Sequence, residues 1–263
     1  MTKKRLFIYI KNHFIYSYIL FQFRIDLRYM LMCPCVLRLR YTVQSCGSTT
    51  YLHCKAFTEM NYRHFLNTGS KVSVLGFGAW QLGVESGWRS VSATDADRMI
   101  RTALESGINF FDTAPIYGHC TSEERLGKVF KTLDRSSIVI NTKFGRLDDG
   151  TVGFGADRIR GSVERSLRRL QVDYLDSIII HSPPSHLLDG NKTDIYEVLE
   201  RLQDEGKIHA YGASIDFAHE IQTLLSTTNA KVIQSFFNIL HQDCKGAFDL
   251  ANEKGAAVIA TVP

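Results

Sequence analysis

The sequence predicts an α/β fold, an incomplete (β/α)8 TIM barrel of about seven βα units. Short apolar runs of strand length alternate with amphipathic helical segments, which is the order of a parallel sheet covered by helices. The strands are apolar on both faces, as in sheets that are buried on both sides. No G-x-G-x-x-G follows the first strand, which disfavours a dinucleotide-binding Rossmann fold.

The elements follow one another with short turns. An N-terminal hairpin of 62–65 and 72–74 precedes the first strand, 75–80, and the first helix has Ser92 or Thr94 as its cap. The other helices have apolar residues three and four positions apart, and Ser122 is the predicted cap of the second. The predicted strands after the first are 108–112, 137–142, 177–181, 208–214, 232–236 and 256–260, and the predicted helices after the first are 122–130, 157–170, 195–204, 218–225 and 245–254. Seven strands would leave two unpaired barrel edges, so we expect a marginally stable or aggregation-prone isolated chain.

Residues 1–59 differ in composition from the rest, so we divide the chain into an N-terminal extension, 1–59, and a barrel domain, 60–263. The extension has nine Lys/Arg and two Asp/Glu. A signal anchor is disfavoured, because Lys11, Asn12 and His13 interrupt the apolar stretch. A transit peptide is an alternative. Our hypothesis is that 1–59 lie outside the folded domain, disordered or translated upstream of a natural start at Met60.

Residues 60–263 contain 22 Lys/Arg and 25 Asp/Glu, so their mildly acidic balance gives no reason to expect nucleic acid as a partner. We expect no membrane association. Only Cys120 and Cys244 fall in this part, which is typical of a reduced, cytoplasmic protein without a disulfide framework. No pair of cysteines has zinc-ligand spacing with His partners, so we predict no metal site.

Three of the predicted strands end on ionisable residues. Asp112 ends the second, Lys143 follows the third, His181 ends the fourth, and Tyr117 lies on the loop after Asp112. Each residue alone is more often structural than catalytic. In a parallel barrel, however, the carboxyl ends of all strands meet at one rim, where residues carry the chemistry. We therefore expect these four side chains to lie together.

These residues resemble those of the aldo-keto reductase family over about 61–263. The family's Asp-Thr-Ala-x-x-Tyr-Gly motif is present at 112–118, with Ser-Glu at 122–123 and Leu-Gly at 126–127. Thr142-Lys143, His181-Ser182-Pro183, Gly212-Ala213-Ser214 and Gln234 resemble the family's residues on strands three to six. The Gly206–Ser214 segment is more similar to the sugar-dehydrogenase branch, the L-galactose and aldose dehydrogenases, than to aldose reductase.

The resemblance implies hydride transfer between a nicotinamide cofactor, NADP or NAD, and a small carbonyl or sugar substrate. Tyr117 would be the general acid and base, with a pKa tuned by Lys143. Asp112 would neutralise Lys143 in a buried pair, and His181 would hydrogen-bond the substrate oxygen.

The resemblance also implies that Ser214 and Gln234 hold the nicotinamide carboxamide, that Ala79 and Trp80 line the site, and that Asp112 belongs to the cofactor site. Many members have Asn after the strand-five Ser, and Ile215 replaces it here. The family's loops for the adenosine phosphate follow strands seven and eight, so we expect those positions beyond Pro263. Two other functions stay open: a cofactor-sensing regulatory subunit, like the potassium-channel β-subunits, and an inactive fragment. The physiological substrate, the choice between NAD and NADP, and the oligomeric state are not predicted.

Overall fold

The computed structural model describes residues 7–11, 38–46, 49–57, 60–66, 70–84, 90–147 and 149–262. In the first three ranges it describes the backbone strands alone. The chain divides into two compact units, of which the first contains residues 1–13 and 62–263 and the second residues 14–61.

The first unit contains six α-helices and ten strands within its described residues. Numbered in chain order, the helices are α1 (Ala93–Glu105), α2 (Thr121–Phe130), α3 (Ala156–Leu170), α4 (Ile195–Asp204), α5 (Ala218–Thr227) and α6 (Phe248–Glu253). The strands are β1 (Phe7–Lys11), β4 (Tyr62–His64), β5 (Lys71–Ser73), β6 (Leu75–Gly78), β7 (Phe110–Asp112), β8 (Val139–Phe144), β9 (Ser177–Ile180), β10 (Tyr211–Ser214), β11 (Val232–Phe236) and β12 (Ala257–Thr261).

Strands β6 to β12 lie side by side in chain order, and every neighbouring pair is parallel. A helix follows each of β6 to β11, so the predicted βα alternation and the barrel fold class are confirmed. The predicted hairpin is also confirmed, as β4 pairs antiparallel with β5.

Strand β1 lies between the two ends of this run. It pairs in parallel with β12 and with β6, which closes the ring. The two edges that seven strands would leave open are therefore occupied in this structure, by five residues from the segment that the sequence analysis placed outside the domain. The division of the chain at residue 60 stays a prediction.

The second unit contains strands β2 (Arg38–Cys46) and β3 (Thr49–Phe57), which form an antiparallel pair. Residues 12–37 and 58–59 lie outside the described residues, so our hypothesis that 1–59 are disordered or not native is not tested there.

Two local predictions are corrected. Ser122 does not cap α2, because the helix starts one residue earlier after Cys120, and the Ser122 hydroxyl donates to the carbonyl oxygen of Ala79 at 2.8 Å. The predicted helix 245–254 is a 3-10 turn, Lys245–Ala247, followed by the shorter α6. The cap of α1 is Ser92, whose hydroxyl accepts from the backbone N–H of Asp95.

The amino-terminal end of the barrel interior is filled by apolar side chains. Phe65 from the hairpin packs against Phe110, with ring centroids 5.8 Å apart. The cluster around them consists of Val72, Val139, Ile179, Ala210, Val232, Ala257 and Ile259. The barrel is thus a packed core at this end, as expected for eight parallel strands. Within the described residues, no helix is both long enough and apolar enough to cross a membrane.

Candidate active site

The candidate site lies at the carboxyl end of the barrel strands. Side chains alternate between the two faces of a strand, so residues two positions apart share a face. On β7, Phe110 lies in the apolar core, and Asp112, two positions later, is at the other end of the interior. On β8, Val139 lies in that core, and Asn141 and Lys143 follow on the same face. Within two residues along each of these strands, the side chains that face the interior therefore change from apolar to polar or charged.

Asp112 is the centre of a buried hydrogen-bond network. Lys143 donates from Nζ to both carboxylate oxygens, at 2.9 Å and 2.8 Å, and to the carbonyl oxygen of Thr113 at 2.9 Å. Asn141 and Gln234 donate to Asp112 Oδ1 at 2.6 Å and 2.9 Å. Ser177 in turn donates to Asn141 Oδ1 at 2.7 Å. The side chains of Lys143 and Asp112 are 1% and 6% exposed, so the ion pair is almost completely removed from water.

Tyr117 lies on the loop after β7, and two glycines fix its position. Gly118 has a φ of +64°, which favours glycine, and a Cβ there would lie 2.0 Å from the carbonyl oxygen of Gly83. A Cβ on Gly83 would in turn lie 2.4 Å from the carbonyl carbon of Tyr117. The 3-10 turn Ala79–Gly83 and the Tyr117 loop therefore touch backbone to backbone.

The four side chains that we expected to meet do lie together. Lys143 Nζ is 4.9 Å from the centroid of the Tyr117 ring. The rings of Tyr117 and His181 meet edge to face, with centroids 6.0 Å apart and planes at 89°. Asp112 is joined to this group through Lys143.

The environment changes the proton affinities of Tyr117 and Lys143. Burial raises the pKa of Tyr117 and outweighs the Lys143 ammonium, which acts in the opposite direction. Lys143 thus favours the phenolate, as predicted, but the net shift in this structure is upward. Burial opposes the charge of Lys143, and the carboxylate of Asp112 overcomes it, so the pKa of Lys143 is raised. Lys143 is therefore a permanent cation at neutral pH.

His181 is a neutral imidazole. Burial, followed by the positive charges of Lys143 and Arg146, lowers its pKa to about 3. Its Nδ1 atom is buried and has no hydrogen-bond partner among the described residues. A proton on Nδ1 would be a buried donor without an acceptor, which is costly, so we assign the proton to Nε2.

A second layer of polar contacts holds α2 against the site. Thr113 and Ser122 share a hydrogen bond of 2.9 Å between their hydroxyls. On the outer face of β8, Thr142 donates to the fully buried carboxylate of Glu123 at 2.7 Å, and Arg169 of α3 donates to the same carboxylate at 2.6 Å. These contacts fix the helix that follows Tyr117 on the strand that bears Lys143.

The model of the aldo/keto reductase family matches residues 74–263, which is most of the chain and includes every residue of this network. This chain belongs to the aldo/keto reductase family. The resemblance that the motifs indicated is therefore confirmed.

Among curated relatives, L-galactose dehydrogenase of Arabidopsis thaliana is 36% identical over 213 residues, which cover 78% of this chain and 66% of the relative. The aldo-keto reductase YhdN of Bacillus subtilis is 34% identical over 188 residues and covers 70% and 56% of the two chains. The chain thus spans about half to two thirds of the length of these curated relatives.

Solved structures of aldo-keto reductases have the same fold. A putative aldo-keto reductase from Pseudomonas aeruginosa superposes with a TM-score of 0.67 at 30% identity, covering 75% of this chain and 76% of that one. The holo form of an aldo-keto reductase from Bacillus halodurans gives a TM-score of 0.67 at 32% identity, covering 77% and 66%.

The residues that the family resemblance assigned to the cofactor are distributed around the same rim. Ser214 ends β10, and its hydroxyl accepts from the backbone N–H of Ser182 at 3.0 Å. Gln234 on β11 uses its NH₂ group on Asp112, which leaves its carbonyl oxygen without a partner among the residues described. Ala79 is buried, and Trp80 is 43% exposed; no hydrogen bond or ring contact joins Trp80 to Tyr117 in the described structure.

Two residues of the site were not predicted from sequence. Asn141 donates to Asp112, and its position two residues before Lys143 on one strand face was a signal that could have identified it. Arg146 donates to the carbonyl oxygen of His181 at 3.2 Å. It lies in a Gly-rich loop without periodicity, so no comparable signal pointed to it. Among the described residues, no group of three His, Cys, Asp or Glu could hold a metal ion.

Proposed function

We propose that this chain is an NAD(P)(H)-dependent oxidoreductase that interconverts aldehydes or ketones, including sugars, and alcohols. Tyr117 would act as the general acid and base. The observation that carries the proposal is the contact of Tyr117 with both Lys143 and His181, beside the buried Lys143–Asp112 pair. A phenol, an ammonium and an imidazole around one point suit a reaction in which a carbonyl oxygen develops negative charge.

In the reduction direction, the Tyr117 hydroxyl would donate a proton to the substrate oxygen. A Tyr in a purely apolar site would bind its proton too tightly, and Lys143 opposes that effect by stabilising the phenolate left behind. Asp112 has two roles: it balances the Lys143 charge, and it holds Nζ in place through two hydrogen bonds. In the oxidation direction the phenolate would take the alcohol proton back.

His181 would orient the substrate. Its neutral state leaves one N–H, which we place on Nε2, to donate to the carbonyl oxygen that Tyr117 protonates. A protonated His181 would instead compete with Tyr117 as the acid. The low pKa of His181 therefore separates the orienting group from the proton donor.

The residues on β10 and β11 fit a nicotinamide carboxamide, which presents one acceptor and one donor group. Ser214 has a hydroxyl at the rim, and Gln234 has a carbonyl oxygen free to accept. When bound, NADP(H) or NAD(H) would supply or accept the hydride. The buried Ile215 has no amide to add a third contact.

The substrate class is proposed from the relatives. They include an L-galactose dehydrogenase, a D-threo-aldose 1-dehydrogenase and an NADH-specific methylglyoxal reductase, which are 31–36% identical to this chain. These names have a small carbonyl or sugar substrate in common. We propose the same class here.

The deciding experiment compares the natural chain with Tyr117→Phe. We expect carbonyl reduction to fall by about 10²–10⁴-fold, because the proton donor is lost, while NADPH binding, followed by its fluorescence, stays within about twofold. Tyr62→Phe, a hydroxyl on the hairpin outside the site, is the matched control and should keep full activity.

Three other results would redirect the assignment. Turnover retained in Tyr117→Phe would refute Tyr117 as the acid. NADPH binding by the natural chain without turnover of any aldehyde would favour the cofactor-sensing subunit. Absence of both binding and turnover would favour the inactive fragment.

A further inference from the structure

A half-buried guanidinium lies beside His181 on the rim and has no role in the steps above. Arg146 follows β8 by two residues, after Gly145, whose φ of +97° turns the chain. Its backbone forms an antiparallel bridge with that of Val152, next to the carboxyl end of β8. Its Nε donates to the carbonyl oxygen of His181 at 3.2 Å, which fixes the base of the guanidinium next to the candidate site.

Among the described residues, most of the hydrogen-bonding capacity of Arg146 is unused. The guanidinium has five N–H donors, and the contact with His181 uses one of them. Within the part of the chain that the structure describes, Nη1 and Nη2 have no hydrogen-bond partner, and no carboxylate lies within ion-pair distance of them. The positive charge of Arg146 also contributes, after burial and Lys143, to the lowered pKa of His181. A cation with no partner among the described residues suits a ligand that brings acceptor oxygens at this point.

The strand order places Arg146 on the opposite side of His181 from the proposed nicotinamide contacts. Ser214 and Gln234, the proposed nicotinamide contacts, lie on β10 and β11, on one side of His181 at the end of β9. Arg146 follows β8, on the other side of His181. A substrate whose carbonyl oxygen is held by Tyr117 and His181 would therefore extend its other end away from the nicotinamide, toward Arg146.

We propose that Arg146 binds acceptor oxygens at the end of the substrate remote from the carbonyl, and that the site thereby selects carbonyl compounds bearing a carboxylate over apolar ones. A guanidinium can hold a carboxylate by two parallel hydrogen bonds and a hydroxyl by one weaker bond. We expect the preference for sugar-like substrates, which bear hydroxyls, to lie between the preferences for carboxylate-bearing and for apolar carbonyl compounds. This inference rests on the proposed oxidoreductase function and specifies its substrate class.

The kinetic test uses three four-carbon aldehydes that differ at the remote end. They are 4-oxobutanoate with a carboxylate, D-erythrose with hydroxyls, and butanal with a methyl group. We expect Arg146→Met to lower kcat/KM for 4-oxobutanoate by about 10–100-fold and for D-erythrose by about 3–10-fold, because charge-assisted bonds are stronger than neutral ones. For butanal we expect a change of less than about threefold. If the ratios of kcat/KM among the three substrates are the same in Arg146→Met as in the natural chain, the proposal is wrong.

Two further variants separate recognition from folding. Arg146→Lys keeps the charge but not the planar pair of donors, so it should retain part of the preference for 4-oxobutanoate. Arg98→Met removes an exposed guanidinium on α1 that pairs with Asp95, and it should leave all three kcat/KM values unchanged. If Arg146→Met fails to fold, the test uses the ratios of kcat/KM among the three substrates in Arg146→Lys. An equal loss of kcat/KM on all three substrates would contradict the proposal.

A binding measurement tests Arg146 without turnover. In ¹⁵N-histidine-labelled protein, the His181 ring signal is assigned by its loss in His181→Asn and then followed during titration with butanoate. We expect saturable binding that weakens by about tenfold or more in Arg146→Met. Equal affinity of the two proteins, or no binding to either, would refute the proposal. If the natural chain reduces none of the aldehydes but binds butanoate through Arg146, the proposed reaction fails while the carboxylate-binding role of Arg146 stands.

Discussion

The two ends of the barrel interior are made by the same strands and have opposite chemistry. At the amino-terminal end, Phe65 and Phe110 lie in a cluster of aliphatic and aromatic side chains. At the carboxyl end, two residues after Phe110, Asp112 accepts hydrogen bonds from three side chains of the barrel. The difference shows that stability and charge lie at separate ends of one barrel. Apolar packing at the amino-terminal end stabilises the strands, and the same strands hold buried charges at the carboxyl end.

The charged end is the more demanding to build. A buried carboxylate and a buried ammonium each lose their hydration, so they are stable only when their hydrogen-bonding groups are used. Lys143 makes three such bonds, and Asp112 Oδ1 accepts three. Removing Lys143 or Asp112 leaves the other residue charged and desolvated. The apolar cluster contains no charged side chain, so no substitution there can have this effect.

The largest effect should follow removal of Lys143. We expect Lys143→Met to lower the free energy of unfolding by about 3–5 kcal/mol, because Asp112 would remain as an unpaired buried charge. It should also lower the rate of carbonyl reduction by the protein that remains folded, because the phenolate of Tyr117 loses its cation. Urea denaturation and steady-state kinetics measure the two effects.

The matched control for this variant is the double substitution Asp112→Asn with Lys143→Met. With both charges gone, much of the lost stability should return, whereas activity should stay low. A double variant as unstable as Lys143→Met alone would mean that the buried charge of Asp112 is not the cause.

At the apolar end, Phe65→Ala should be almost as destabilising but for another reason. Phe65 is completely buried, and truncation leaves a cavity under the barrel, so we expect a loss of about 3–5 kcal/mol in unfolding free energy. Phe65→Leu should lose much less, because it fills most of the space. Equal losses for Ala and Leu would argue against cavity formation and weaken the comparison of the two ends.

The smallest effect, counted per pH unit, concerns acid. The pKa of His181 is about 3 in the fold, against about 6.5 in the unfolded chain, so between these values the unfolded state binds more protons. Stability should therefore fall as the pH is lowered from about 6.5 toward 3, with a slope of at most about 1.4 kcal/mol per pH unit from this group. His181→Gln should flatten that part of the stability profile. The same acid dependence with and without His181 would contradict its neutral state in the fold.

Much of the architecture was predictable because it depends on patterns that are local in sequence. Buried parallel strands are short apolar runs, and the helices between them have a 3.6-residue period. These patterns were enough to predict the order of strands and helices and the location of the rim. Asp112, Tyr117, Lys143 and His181 could be grouped because the carboxyl ends of parallel strands meet. This rule brings Asp112, Lys143 and His181 to one rim. The position of Tyr117 also depends on the close approach of Gly118 to Gly83.

Other features depend on contacts that no local pattern reveals. Strand β1 is a short run, Phe7–Ile10 and then Lys11, among similar runs, and its place between β6 and β12 is set by pairing with residues far along the chain. Ser122 has the side chain of a helix cap but donates to Ala79, 43 residues away. Gln234 and Asp112 are 122 residues apart, and their bond follows only from the closed ring of strands.

The most direct test of the central claim compares Lys143→Met with Phe65→Ala in single-turnover reduction of a small aldehyde, at a temperature and osmolyte concentration where both variants are folded. If chemistry belongs to the carboxyl end, Lys143→Met should be slower by at least about tenfold, and Phe65→Ala should react within about threefold of the natural chain. Equal losses of rate in the two folded variants would contradict the account.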